Sequence, residues 1–208
     1  MDRLHALAVA LALVALAPAA GCKKEGGGEE GKPVEDEGRI NAVETVAKKA
    51  VTVEEFCDVL PKTAEEAKPL ALPPLAAGQS APAASSAWRY FNVWATWCQP
   101  CIAEMPLLAT WQKQLSGEGL KLELVFVSAD ETDQLVADFR KKHPQTPESL
   151  RIDKPDALPT WLGALGIGEN APIPVHVLVD PANKVRCVRA GQVKESDLPA
   201  VRALLKSG

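Results

Sequence analysis

From residue 88 onward, short apolar runs rich in aromatic and β-branched side chains alternate with stretches of helical periodicity. This alternation constrains the fold more than any other feature of the chain. Residues 88–95 (WRYFNVWA) read as a buried strand. Residues 98–115 place Ile102, Met105, Leu108, Trp111 and Leu115 at helical spacing. A strand over 120–129, an amphipathic helix over 131–143, a short strand over 150–152 and a helix over 157–165 follow. The chain closes with a strand over 175–180, a Pro181-Ala182-Asn183-Lys184 turn, its partner over 185–188, and a helix over 195–206 with Ser196 and Asp197 near its start. The order βαβα(βα)ββα combines parallel crossovers with one terminal hairpin, which predicts an α/β sandwich: a central mixed sheet with helices on both faces.

The segments before residue 88 differ in kind. Residues 6–17 form an unbroken apolar run of 12 residues, the length of an export-signal core and short of the ~20 that cross a bilayer. The small residues Ala19-Ala20-Gly21 then lead to Cys22. This resembles a bacterial lipoprotein signal, which implies cleavage before Cys22 and lipidation of its thiol. The alternative is an ordinary signal cut within residues 17–20, leaving Cys22 free or disulfide-bonded. We therefore expect residues 1–21 to be a signal and 22–39, nearly free of bulky apolar side chains, to be a flexible tether. Residues 40–87 form an extension and connector. Val43, Val46, Val53, Phe56 and Leu60 predict a helical stretch within 40–60, and a Pro-, Ala- and Ser-rich segment over 61–87 reads as extended. Residues 88–208 are the main domain. The net charge of −4 excludes the concentrated basic surface of a nucleic-acid binder.

The chemistry concentrates in Trp97-Cys98-Gln99-Pro100-Cys101, just after the first strand and opening the first helix. Cysteines at i and i+3 on a helical turn sit with Cα atoms roughly 5–5.5 Å apart, inside the disulfide window. Cys98, at the helix mouth, meets free N–H groups and the positive end of the dipole, which favour a thiolate, the attacking species in disulfide exchange. Cys101, one turn further in, is placed to resolve a mixed disulfide. Pro100 falls in the first turn, where no hydrogen bond is lost. The alternatives are half a zinc site, for which a second CxxC is missing, and a plain structural disulfide, which closes too small a loop to stabilise much. No flavin or nucleotide motif and no metal-ligand set is present, so no cofactor is expected.

The segment FNVWATWCQPCIAEMP resembles the thioredoxin superfamily, and within it the TlpA/ResA branch of membrane-attached, extracytoplasmic thiol–disulfide oxidoreductases. The resemblance spans residues 88–208 and implies a thioredoxin-like sandwich. It gives Glu104, in CxxCxxE, a part in handling the thiol protons. Asn92 stands where cytoplasmic thioredoxins have a buried Asp. The resemblance makes Pro174, rather than Pro172, the cis-proline that with Ile173 shapes the substrate groove, and places Trp97 beside the disulfide. Val175-His176 depart from the Thr-Thr of the branch, and His176 reads as a satisfied structural histidine. With Cys22 lipidated and Cys98 paired with Cys101, Cys57 and Cys187 remain. They suit a structural disulfide from the extension to the last strand, or alternatively two buried thiols. The implied activity is reduction of protein disulfides, as in cytochrome c maturation, by a monomer anchored in the membrane. Its electrons would come from a membrane thiol transporter. Two other readings remain open: a copper chaperone using Cys98, Cys101 and His176, and a thiol peroxidase, for which Thr96 is present but the preceding Pro is absent.

Overall fold

The computed structural model describes residues 50–207. The expected signal, Cys22, the tether and the first ten residues of the expected extension (40–49) lie outside the described residues. Five strands form one mixed sheet in the order β3-β2-β1-β4-β5. The central strand β1 (Trp88–Trp94) is buried at every position, because β2 (Leu122–Ser128) pairs with it in parallel and β4 (Val175–Val179) antiparallel. β3 (Ser149–Arg151) extends the sheet beyond β2, and β5 (Val185–Ala190) forms the terminal hairpin with β4. This is the mixed sheet flanked by helices that the alternating pattern predicts.

Successive side chains of a strand face opposite ways, and the two faces build two cores. Tyr90, Trp94, Phe126, Leu178 and Cys187 face α2 (Gln99–Gly117) and α5 (Leu198–Lys206), meeting Leu108, Trp111, Val201 and Leu204. Val136 of α3 (Asp133–Lys142) joins the same core. Phe91, Val93, Val127 and Val177 face the other way, onto Trp161 and Leu162 of α4 (Leu158–Leu165). Three helices begin later than their periodicity predicts. The hydroxyl of Thr132 caps α3 by accepting from the Leu135 N–H, and 3-10 turns at Pro155–Ala157 and Glu195–Asp197 precede α4 and α5.

The extension is mostly not helical. Among the described residues its helix, α1, covers only Val53–Phe56, opened by a Thr52–Glu55 capping box. At Cys57 the backbone turns extended, because the next residues find strand partners: Asp58 and Val59 donate to the Val188 carbonyl, and Val188 donates back to Val59. The chain continues as a strap. Val185 N–H donates to Lys68 and Leu70 N–H to Asn183 on the β5 side, whereas Ala76 N–H donates to Arg151 at the end of β3. Between these points the Trp161 indole donates to the Ala71 carbonyl at 2.6 Å. Both sheet edges are thereby partly covered, which removes templates for strand addition. Cys57 and Cys187 are joined as a disulfide with Cα atoms 5.5 Å apart, tying the start of the strap to β5.

Candidate active site

α2 starts at the carboxyl end of β1, where open α/β sheets collect their sites. Cys98 is the N-cap residue, in extended conformation, and its carbonyl receives the Ile102 N–H. Pro100 lies in the first turn. Cys98 and Cys101 form a disulfide with Cα atoms 5.3 Å apart. Both sulfur-bearing residues are buried, Cys101 completely and Cys98 at 4% exposure. The Ile173 carbonyl oxygen lies 3.8 Å from Cys98 Sγ, and the Ile173–Pro174 peptide is cis. A backbone acceptor thus flanks the outer sulfur. Trp97 does not pack into the core. It is 67% exposed, and Thr96 just before it is clamped from below.

That clamp is Asp130, which the sequence reading missed. Its carboxylate accepts from the Thr96 N–H at 3.0 Å, the Thr96 hydroxyl at 2.6 Å and the Ser128 hydroxyl at 2.7 Å. The one available signal was its place just past the end of β2, beside the strand that leads into Cys98. The Thr96 hydroxyl commits its proton to this clamp.

Glu104 is buried at 1% exposure one turn beyond Cys101. Oε1 accepts from Asn92 Nδ2 at 2.8 Å, and Oε2 from the Val193 N–H at 3.0 Å. Desolvation pushes the carboxyl up, the Val193 and Asn92 donors pull it back, and the outcome is a value of about 7. Such a group holds and releases a proton at neutral pH. His176 lies in the same core at 0% exposure. Its Nδ1 faces Asn92 Nδ2 at 3.3 Å, and its Nε2 faces the Gly191 carbonyl at 3.1 Å. Burial lowers it to about 3, so it is neutral. Both ring nitrogens are engaged inside the core, which removes the third ligand of the copper reading.

The AhpC/TSA family profile matches residues 65–188, more than half of the chain. The chain belongs to the AhpC/TSA family. The chain is 31% identical over 119 residues to the thiol-disulfide oxidoreductase ResA of Bacillus subtilis, covering 57% of this chain and 62% of that one. It is 31% identical over 113 residues to ResA of Geobacillus thermodenitrificans, covering 52% and 58%. The chain thus spans about three fifths of the length of these curated relatives. The crystal structure of a thioredoxin-related protein from Neisseria meningitidis serogroup B aligns with a TM-score of 0.50 at 26% identity, over 62% of this chain and 93% of that one. This AhpC/TSA member is therefore a thioredoxin-like sandwich, similar to ResA, as its motif implies.

Proposed function

We propose that this chain is an extracytoplasmic thiol–disulfide oxidoreductase that reduces protein disulfides. One observation carries the reading: a Cys98–Cys101 pair spaced for closure at the mouth of α2, with a backbone acceptor 3.8 Å from the outer sulfur. The similarity to ResA supports it. In the dithiol form the Cys98 thiolate attacks one sulfur of a substrate disulfide. A Cys98–substrate bond forms, and the other substrate sulfur leaves as a thiolate and takes a proton. Cys101 then gives its proton to the Glu104 carboxylate, and its thiolate attacks Cys98 Sγ. The Cys98–Cys101 bond closes, the second substrate sulfur departs, and two electrons have passed to the substrate. The Ile173 carbonyl and Pro174 line the bound substrate strand, and the exposed indole of Trp97 gives it an apolar contact. Lipidated Cys22 and the tether hold the domain near the membrane, where a thiol transporter returns it to the dithiol form.

A Cys101→Ser variant of the full chain, expressed in a cell envelope, tests this. It should accumulate mixed disulfides through Cys98 that dithiothreitol dissolves, and the wild type should reduce insulin disulfides. Failure of Cys98–Cys101 to interconvert in glutathione buffers, or turnover of hydrogen peroxide without disulfide exchange, overturns the reading. Loss of labelled palmitate incorporation in Cys22→Ser checks the anchor.

A further inference from the structure

Asn92 of β1 and His176 of β4 are direct cross-strand partners in the antiparallel register, and both side chains point toward Glu104. Their hydrogen-bond roles follow in sequence. The Gly191 carbonyl can only accept, so the His176 nitrogen 3.1 Å from it, Nε2, carries the proton. A neutral ring then has a bare lone pair on Nδ1. That lone pair demands a donor, and Asn92 Nδ2, at 3.3 Å, supplies one of its two N–H groups. The second N–H goes to Glu104 Oε1 at 2.8 Å. With the amide turned over, Asn92 Oδ1 would confront both the Nδ1 lone pair and the carboxylate. Holding the observed orientation leaves Asn92 Oδ1 buried without a hydrogen-bond partner, a cost that only a strong preference on the other side of the amide offsets.

From this geometry we infer that His176 is a positioning residue: it locks the Asn92 amide so that only N–H faces Glu104, biasing that carboxyl toward its ionised, proton-accepting form. Without the lock the amide is free to turn, present Oδ1, and accept a hydrogen bond from the protonated acid, favouring the neutral form. This deepens the proposed function, on which it rests, by assigning the control of the proton acceptor to one residue.

The other groups facing Glu104 act on a fixed background. From β5, Arg189 adds positive charge and is itself 3.9 Å from Asp197 of the turn before α5. From β1, Tyr90 stays protonated, pushed well up by burial. From the loop after β5, the Val193 N–H donates to Oε2. His176 Nε2 is also 3.5 Å from Glu104 Oε1.

The test uses the oxidised full chain, so that it reads the carboxyl without turnover. The Glu104 titration is followed by carboxyl-labelled NMR and assigned with Glu104→Gln. His176→Phe, which offers no acceptor, should move the Glu104 midpoint upward by about one pH unit or more. His176→Gln, which can accept from Asn92 and donate to Gly191, should bring it back. An unchanged midpoint in a folded His176→Phe protein overturns the lock. If His176→Phe fails to fold, the wild type still decides: two-bond 1H–15N spectra of the imidazole should show the Nε2–H tautomer from about pH 5 to 9. An Nδ1–H tautomer or an imidazolium overturns the inference. Insulin reduction by the wild type, read separately, reports on the underlying activity, so the two failures are distinguishable.

Discussion

Glu104 and His176 are buried side by side, yet burial moves them in opposite directions, and folding stability should record both. Glu104 is raised from 4.5 to about 7, so the folded protein holds its proton more tightly than the unfolded chain. Its stabilisation is fully present below pH 4.5 and is lost as pH rises to about 7. His176 is lowered from 6.5 to about 3, so its contribution is present above pH 6.5 and is lost as pH falls toward 3. Over its own range each integrates to on the order of 3–5 kcal/mol, and between pH 4.5 and 6.5 the two slopes oppose each other. Glu104→Gln removes one of them. In urea unfolding, the variant should therefore gain stability relative to wild type as pH rises from about 4.5 to 7, by about 3 kcal/mol. A pH-independent difference would contradict the placement of Glu104. At Trp97, which is 67% exposed, alanine should change stability by less than about 0.5 kcal/mol. The same substitution should raise the KM for a protein disulfide while sparing a small disulfide, as parallel insulin and cystine assays would show. Cys98 and Cys101 were legible because their chemistry is local, set by spacing on one helical turn. The surroundings of Glu104 were not. Its donors come from Asn92 and from Val193, the latter 89 positions away, and no periodicity in α2 reports them.

The elements that could be read from sequence are those whose burial repeats: β1 on both faces, α2 on one. The strap could not, because its contacts are isolated. Val59, Pro69 and Leu75 each make a single isolated bridge, the first two on the β5 side and the third beside β3, with prolines between them and no repeating apolar position. The apolar spacing near Phe56 predicts a longer helix than α1, yet the backbone of Asp58 and Val59 gains more from pairing with Val188. One glycine registers how closely strap and helix meet. Gly166 ends α4 at φ +91, and a Cβ there would lie 3.3 Å from Val59 Cγ2. Gly119, at φ +80, faces open space. Alanine at either site carries the left-handed backbone cost of about 1–2 kcal/mol. Gly166→Ala should cost measurably more than Gly119→Ala in thermal unfolding. Equal losses would mean that the strap yields without resistance.

At the scale of the whole molecule, the Cys57–Cys187 bridge joins positions 130 apart, enclosing nearly the entire domain. Loop-closure entropy assigns such a bridge about 4–5 kcal/mol. A Cys57→Ala/Cys187→Ala variant should lose a substantial part of that in denaturant unfolding, while its Cys98–Cys101 pair still cycles in glutathione buffers. An undiminished unfolding midpoint would show that packing of the strap, with Phe56 in the core beneath it, suffices without the bond. The sequence offered these two cysteines only as what remained. Their meeting depends on where the strap crosses β5, a matter of tertiary pairing.

The same bridge turns residues 57–187 into a closed covalent ring. A protease that cuts once at the exposed residues 168–170, between α4 and Ile173, opens the ring without dividing the molecule. The nicked protein should run as one species on a non-reducing gel and separate into two fragments only when a reductant is added.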